Sequence, residues 1–110
     1  MPFRYNLQKI LNFRITKRDE QIEVVKRAQL EVDKIQAEIN KKYREVASVQ
    51  NDMRHAEAIM LDFYDKYIKH LYVQIAELEV QKEEAVKKLK EEQDILTEYE
   101  QNVKVFVNYT

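Results

Sequence analysis

Two apolar stripes with heptad spacing run along this chain, and they are one residue out of phase with each other. The first starts at Val25 and the second at Leu61, and steps of three and four residues alternate in both. This spacing places the side chains of one stripe on one face of a helix, where they can form a coiled-coil seam. Met60 and Leu61 would both occupy the same heptad position, so a straight helix cannot hold both stripes on one face. We therefore expect the chain to turn back between the stripes.

The expected turn lies within residues 48–60. Ser48, Asn51 and Asp52 form the mid-chain cluster of helix-capping residue types, and asparagine tolerates the left-handed backbone conformation. The sequence contains no Gly and a single Pro, at position 2, so both a short kinked segment and a loop fit. We expect helix 1 over about residues 3–55 and helix 2 over about residues 60–106.

These features predict an all-α fold in which two long helices form an antiparallel coiled-coil hairpin, as a single domain over residues 1–110. Charged residues make up 35% of the chain, which is typical of a long helix or coiled coil. The alternative is a continuous rod that dimerises in parallel, since Ile68 and Leu71 follow the preference of two-stranded coiled coils. The predicted seam residues are Val32, Ile35, Ile39, Val46, Val49, Met53, Ile68, Ile75, Leu89 and Leu96.

The charge balance and the missing residue types restrict the possible chemistry. With 19 basic and 20 acidic residues the formal net charge is -1, so no general attraction to nucleic acid or to anionic lipid is expected. His55 and His70 are too far apart in sequence for a helical metal pair, and the chain has no Cys. Without Gly a phosphate-binding loop cannot form. The sequence predicts a non-enzyme with no metal or cofactor, no membrane insertion, and a monomeric state.

Both ends of the sequence differ from the middle. The first residues contain no acid before Asp19, as in a transit peptide, but they lack its Ser-rich character, and we interpret them as mature protein. Residues 103–110 are rich in strand-forming Val, Phe, Tyr and Thr. They form either a frayed last helical turn or a segment that a partner completes.

Aromatic residues concentrate just after the expected turn. Tyr64 belongs to the second stripe, whereas Phe63, Tyr67 and Tyr72 lie on its flank. An exposed ring is unusual unless it binds a partner, so these three residues either form a partner-binding surface or widen the intramolecular core.

The opening residues resemble the start of the FliJ family of flagellar export proteins. The resemblance lies in Phe3, a Leu7–Gln8 pair, the Ile10–Leu11 doublet and Arg14, in the order of the family. Farther along, Tyr64, Tyr67, Ile68 and Leu71 are similar to the aromatic-rich segment that follows the turn in that family. Together the two motifs cover the chain to about Asn102.

The resemblance implies a component of the bacterial type III flagellar export apparatus, and thus a role in flagellum biogenesis and motility. Family members are antiparallel coiled coils thought to insert into the export ATPase hexamer, FliI, and to touch the cytoplasmic domain of the gate protein FlhA. They also help to recycle export chaperones, at the cytoplasmic face of the inner membrane. The related injectisome stalk shares this architecture. The gate-contacting residues that the resemblance implies are Tyr67, Leu71, Tyr64 and Leu78.

Overall fold

The computed structural model describes residues 2–108, and side chains from residue 4 onward. It consists of α1, Pro2–Met53, and α2, Ala58–Asn108, which run antiparallel, and no strand occurs in this range. Both helices are long because neither contains Gly or an interior Pro, and Pro2 occupies a first position where its missing N–H costs nothing. The predicted all-α antiparallel coiled-coil hairpin is confirmed.

The chain forms two compact units, each built from a part of both helices. The turn unit is Glu31–Ala85. Its apolar cluster combines Val46 of α1 with three residues of α2, and residues from the last turns of α1 pack against it. Leu71 at the centre of this cluster is only 1% exposed. The cluster consists of Val46, Ile68, Leu71 and Ile75, with Val49 and Met53 partly buried against it.

The terminal unit is Met1–Leu30 with Val86–Thr110. Leu89 and Val103 of α2 are buried in it. The Arg14 guanidinium of α1 lies 4.3 Å from the centre of the Phe106 ring, and its Nη1 donates a hydrogen bond of 3.2 Å to the main-chain oxygen of Asn102. Such a cation over an aromatic face is stabilising, and it joins an early turn of α1 to the last turns of α2.

The connection between the helices is the segment Arg54–Glu57. The amides of Arg54 and His55 donate to the main-chain oxygens three residues earlier, at 3.2 and 3.1 Å. These bonds satisfy carbonyls that the end of α1 would otherwise leave unpaired. Within residues 2–108 no residue has a positive φ, so the turn forms without the left-handed cap for which Asn51 is suited.

Residues next to the turn depart from the stripe pattern. Met60 and Leu61, which the sequence places in the seam, are both exposed. The chain reverses direction between α1, which ends at Met53, and α2, which begins at Ala58. The same reversal of the chain excludes the continuous rod.

The last described residues are helical. Residues 103–108 continue α2, so that part of the strand-forming segment is helical, whereas Tyr109 and Thr110 lie outside the described residues. The side chain of Phe3 also lies outside them.

Within residues 2–108 neither helix contains a segment long and apolar enough to cross a lipid bilayer.

We expect Leu71→Ala to lower the free energy of unfolding by about 2–5 kcal/mol, because it leaves a cavity in the apolar cluster. The matched control is Leu30→Ala, which removes the same atoms from a side chain that is 65% exposed. It should change stability by no more than about 0.5 kcal/mol. Urea denaturation followed by circular dichroism measures both. Equal losses for the two variants would contradict the burial of Leu71.

Candidate partner-binding surface

The four residues predicted to contact the export gate lie at different depths in the turn unit. Leu71 is buried in the apolar cluster, and Tyr64 and Leu78 are half-buried. Tyr67 is 41% exposed. A partner that docks on the closed helix pair can therefore reach Tyr67, whereas Leu71 stabilises the helix pair from beneath.

Tyr67 continues an exposed apolar row on α2 that we call the turn patch, formed by Ile59, Phe63 and Tyr67. These residues are four apart, so each is rotated by only about 40° from the previous one around the helix. All three are exposed, and Ile59 most of all, at 83%. The Phe63 ring meets the half-buried Tyr64 ring edge to face, with 6.0 Å between the ring centres. This contact restrains Phe63 and pre-forms part of the patch.

Tyr72 does not belong to the turn patch although it is equally exposed, at 47%. It follows Tyr67 by five residues, and the two side chains point about 140° apart around α2. The rings of Phe63, Tyr67 and Tyr72 are all exposed, so none of them widens the core. Tyr72 provides a natural control for the patch.

The charges next to the turn patch form exposed ion pairs. Asp62 pairs with Lys66 and Asp65 with Lys69, each at 3.0 Å between nitrogen and oxygen. Such surface pairs contribute about 0–1 kcal/mol each and are screened by salt. The patch is therefore an apolar strip beside solvated charges, which is the usual anatomy of a docking surface with a polar rim.

The ten predicted seam residues all lie on the inner faces of the helices. Three of them, Val46, Ile68 and Ile75, belong to the apolar cluster of the turn unit, and Val49 and Met53 pack against it. The others are buried or half-buried in their own units without belonging to this cluster. Ile35, Ile39 and Leu89 are buried, and Val32 and Leu96 are half-buried.

Sequence reasoning missed a buried polar contact in the terminal unit. Gln21 is only 8% exposed. Its Nε2 donates to the main-chain oxygen of Glu92 at 3.0 Å and to the Glu92 carboxylate at 2.7 Å. The sequence does contain a signal for the burial of Gln21. This residue precedes Val25, the first residue of the first stripe, by four positions, and so it extends that stripe toward the N-terminus. A glutamine at such a position is easily read as surface.

The described range contains no cluster of metal-binding side chains. Among residues 2–108, no group of three or more His, Cys, Asp and Glu side chains could hold a metal ion. His55 lies in the turn and His70 on α2, and both are exposed.

The chain matches no protein-family model, and neither a curated protein nor a solved structure matches it. The functional argument therefore depends on the turn patch and on the resemblance of the two sequence motifs.

We expect Gln21 and Glu92 to be energetically coupled. In a double-mutant cycle with Gln21→Ala and Glu92→Ala, the coupling energy should be about 1–2 kcal/mol, because a partly buried hydrogen bond to a carboxylate is lost. The control cycle uses Glu23 and Lys26, an exposed pair 3.4 Å apart. Its coupling should stay below about 0.5 kcal/mol. Urea denaturation gives all the required values, and a Gln21–Glu92 coupling as small as that of the control would refute the contact.

Proposed function

We propose that this protein is a non-enzymatic stalk of the bacterial flagellar export apparatus. In this role it links the export ATPase hexamer to the cytoplasmic domain of the export gate, and it assists the delivery of chaperones and their substrates. The observation that carries the proposal is an antiparallel helical hairpin that exposes Tyr67, the position to which the resemblance assigns the gate contact. The two motifs at the start of α1 and after the turn support the same family.

A two-helix hairpin suits such a role for a physical reason. Its buried apolar residues lie in a single narrow seam, so the outer surface of both helices, which combines charged residues with exposed apolar ones, stays open to partners. A helix pair of this kind can occupy the hole of a ring and transmit torque or a conformational bias to a second partner. No reaction of its own is required, and a single copy per ring is sufficient.

The gate contact in this proposal is the turn patch rather than the full predicted set of residues. Tyr67 supplies an amphipathic ring, and Phe63 and Ile59 extend the apolar area along the same side of α2. Tyrosine and phenylalanine are strong anchors at protein interfaces because they bury a large rigid surface. Leu71 keeps its place in the core and holds α2 in position under the patch.

The site of action follows from the partners. The protein would work in the cytoplasm, at the inner face of the inner membrane, where it is held through the ATPase ring, the gate and the flagellar export chaperones. This location rests on the resemblance of the motifs and on the proposed contacts.

We expect Tyr67→Ala to weaken binding to the cytoplasmic domain of the gate protein from the same genome by about tenfold or more, since interface tyrosines often contribute more than 1 kcal/mol. Helicity and thermal stability should stay unchanged, because the ring is exposed. Titration calorimetry measures the affinity, and circular dichroism checks the fold.

Tyr72→Ala is the matched control, because it removes the same ring from another side of α2. It should leave gate binding unaltered. Equal affinities of the wild type and the Tyr67 variant would remove the gate assignment. Absence of wild-type binding to both the gate domain and the export ATPase would remove the stalk proposal as a whole.

A further inference from the structure

The first turns of α1 carry an exposed row of alternating aromatic and cationic side chains. Tyr5, Lys9, Phe13 and Lys17 are each four residues apart, so they follow one another along one side of the helix. The Lys9 ammonium lies 5.8 Å from the centre of the Tyr5 ring, and the Lys17 ammonium lies 5.5 Å from that of Phe13. Both rings are exposed. We call these four residues the N-terminal row.

The surface around the N-terminal row is grooved and partly apolar. Phe13 borders two open grooves and forms a wall of both. One groove lies on α1 itself and includes the exposed aliphatic side chain of Ile10. The other runs between the helices of the terminal unit. The first is lined by Asn6, Lys9, Ile10 and Phe13, and the second by Phe13, Arg14, Lys17, Tyr99 and Asn102.

The charge in this region is positive. No acidic residue precedes Asp19, whereas the preceding turns of α1 contain five cations. On α2 the last turns add Lys104 and the exposed Val105, and they also contain the acidic residues Glu98 and Glu100. Some cations are engaged, since Lys17 lies 3.7 Å from Glu20 and Arg18 pairs with Asp19 at 2.9 Å. The cationic side chains around the N-terminal row still outnumber the acidic ones. The five cations are Arg4, Lys9, Arg14, Lys17 and Arg18.

We infer that the N-terminal row is a peripheral binding site for an anionic lipid surface. A helix face that combines cations with aromatic and aliphatic side chains has the chemistry of an interfacial anchor. The rings and Ile10 would enter the boundary between headgroups and acyl chains, while the lysine ammonium groups stay at the level of the lipid phosphates. The site would be a weak, salt-sensitive contact, since no part of the row is long enough to insert.

The exposed aliphatic side chains favour a lipid surface over nucleic acid. Rings interleaved with cations could also stack on the bases of a single strand. Ile10 and Val105 add nothing to such stacking, whereas they gain free energy by leaving water for an acyl region. This inference does not rest on the proposed stalk function, because the turn patch and the N-terminal row belong to different units and are tested separately.

The experiment is co-sedimentation of the full chain with phosphatidylcholine vesicles that either contain or lack phosphatidylglycerol. We expect binding to the anionic vesicles only, and a steep loss of binding at high salt.

Lys9→Glu with Lys17→Glu should weaken binding by about 30-fold or more, since each lysine near such a surface contributes about 1 kcal/mol. Phe13→Ser should weaken it by about tenfold through lost apolar burial, without a change in charge.

The matched control is Lys87→Glu with Lys88→Glu, which makes the same change of net charge at exposed positions of α2 in the same unit. It should bind nearly as well as the wild type, and circular dichroism should show the same helicity for all variants. Binding that is absent, equal with neutral vesicles, or weakened as much by the control would overturn the inference. Tighter binding to a single-stranded oligonucleotide than to anionic vesicles would overturn it in favour of nucleic acid.

Discussion

The structure depends on the burial of one narrow apolar seam between two antiparallel helices. Among the residues that the structure describes, only Ile39 and Leu71 are almost completely inaccessible to water. Isolated helices gain little stability from propensity alone, so each one relies on the other. Since the seam occupies a small part of each helix surface, the remaining faces can hold rows of exposed side chains without weakening the fold.

An apolar seam alone leaves the register of the two helices poorly defined, because a slip by one heptad brings similar side chains together. Gln21 removes this freedom in the terminal unit. In a slip along α2 its amide would lose the Glu92 carboxylate and face Ala85 or Tyr99 instead. A hydrogen bond to a charged group contributes about 1.5–3 kcal/mol, so its loss is comparable with the gain from one seam residue. The polar contact thus contributes specificity where the apolar pairs contribute stability.

The sequence predicts the helices and the seam well because heptad spacing records the inner face directly, as at Val46, Ile68 and Ile75. It predicts the turn only approximately. A chain without Gly can end α1 with main-chain bonds to residues three positions back, and this ending has no side-chain signature. Whether a residue at the edge of the seam is buried or exposed is equally hard to predict from the sequence. Tyr67 and Leu71 are four residues apart, and the rotation of about 40° between them separates an exposed ring from a buried core residue.

The net charge of -1 does not describe how charge is distributed along the chain. This value averages over regions of different character. Every charged residue before Asp19 is a cation, whereas around the turn Asp52, Glu57, Asp62 and Asp65 lie among Arg54, Lys66 and Lys69. Screening limits electrostatic attraction to about 8–10 Å, so a partner responds to the local charge and not to the sum. A hairpin whose charges are unevenly distributed along its length can present different partners with different surfaces. A net charge near zero is then compatible both with an apolar contact beside ion pairs and with a cationic contact beside aromatic rings.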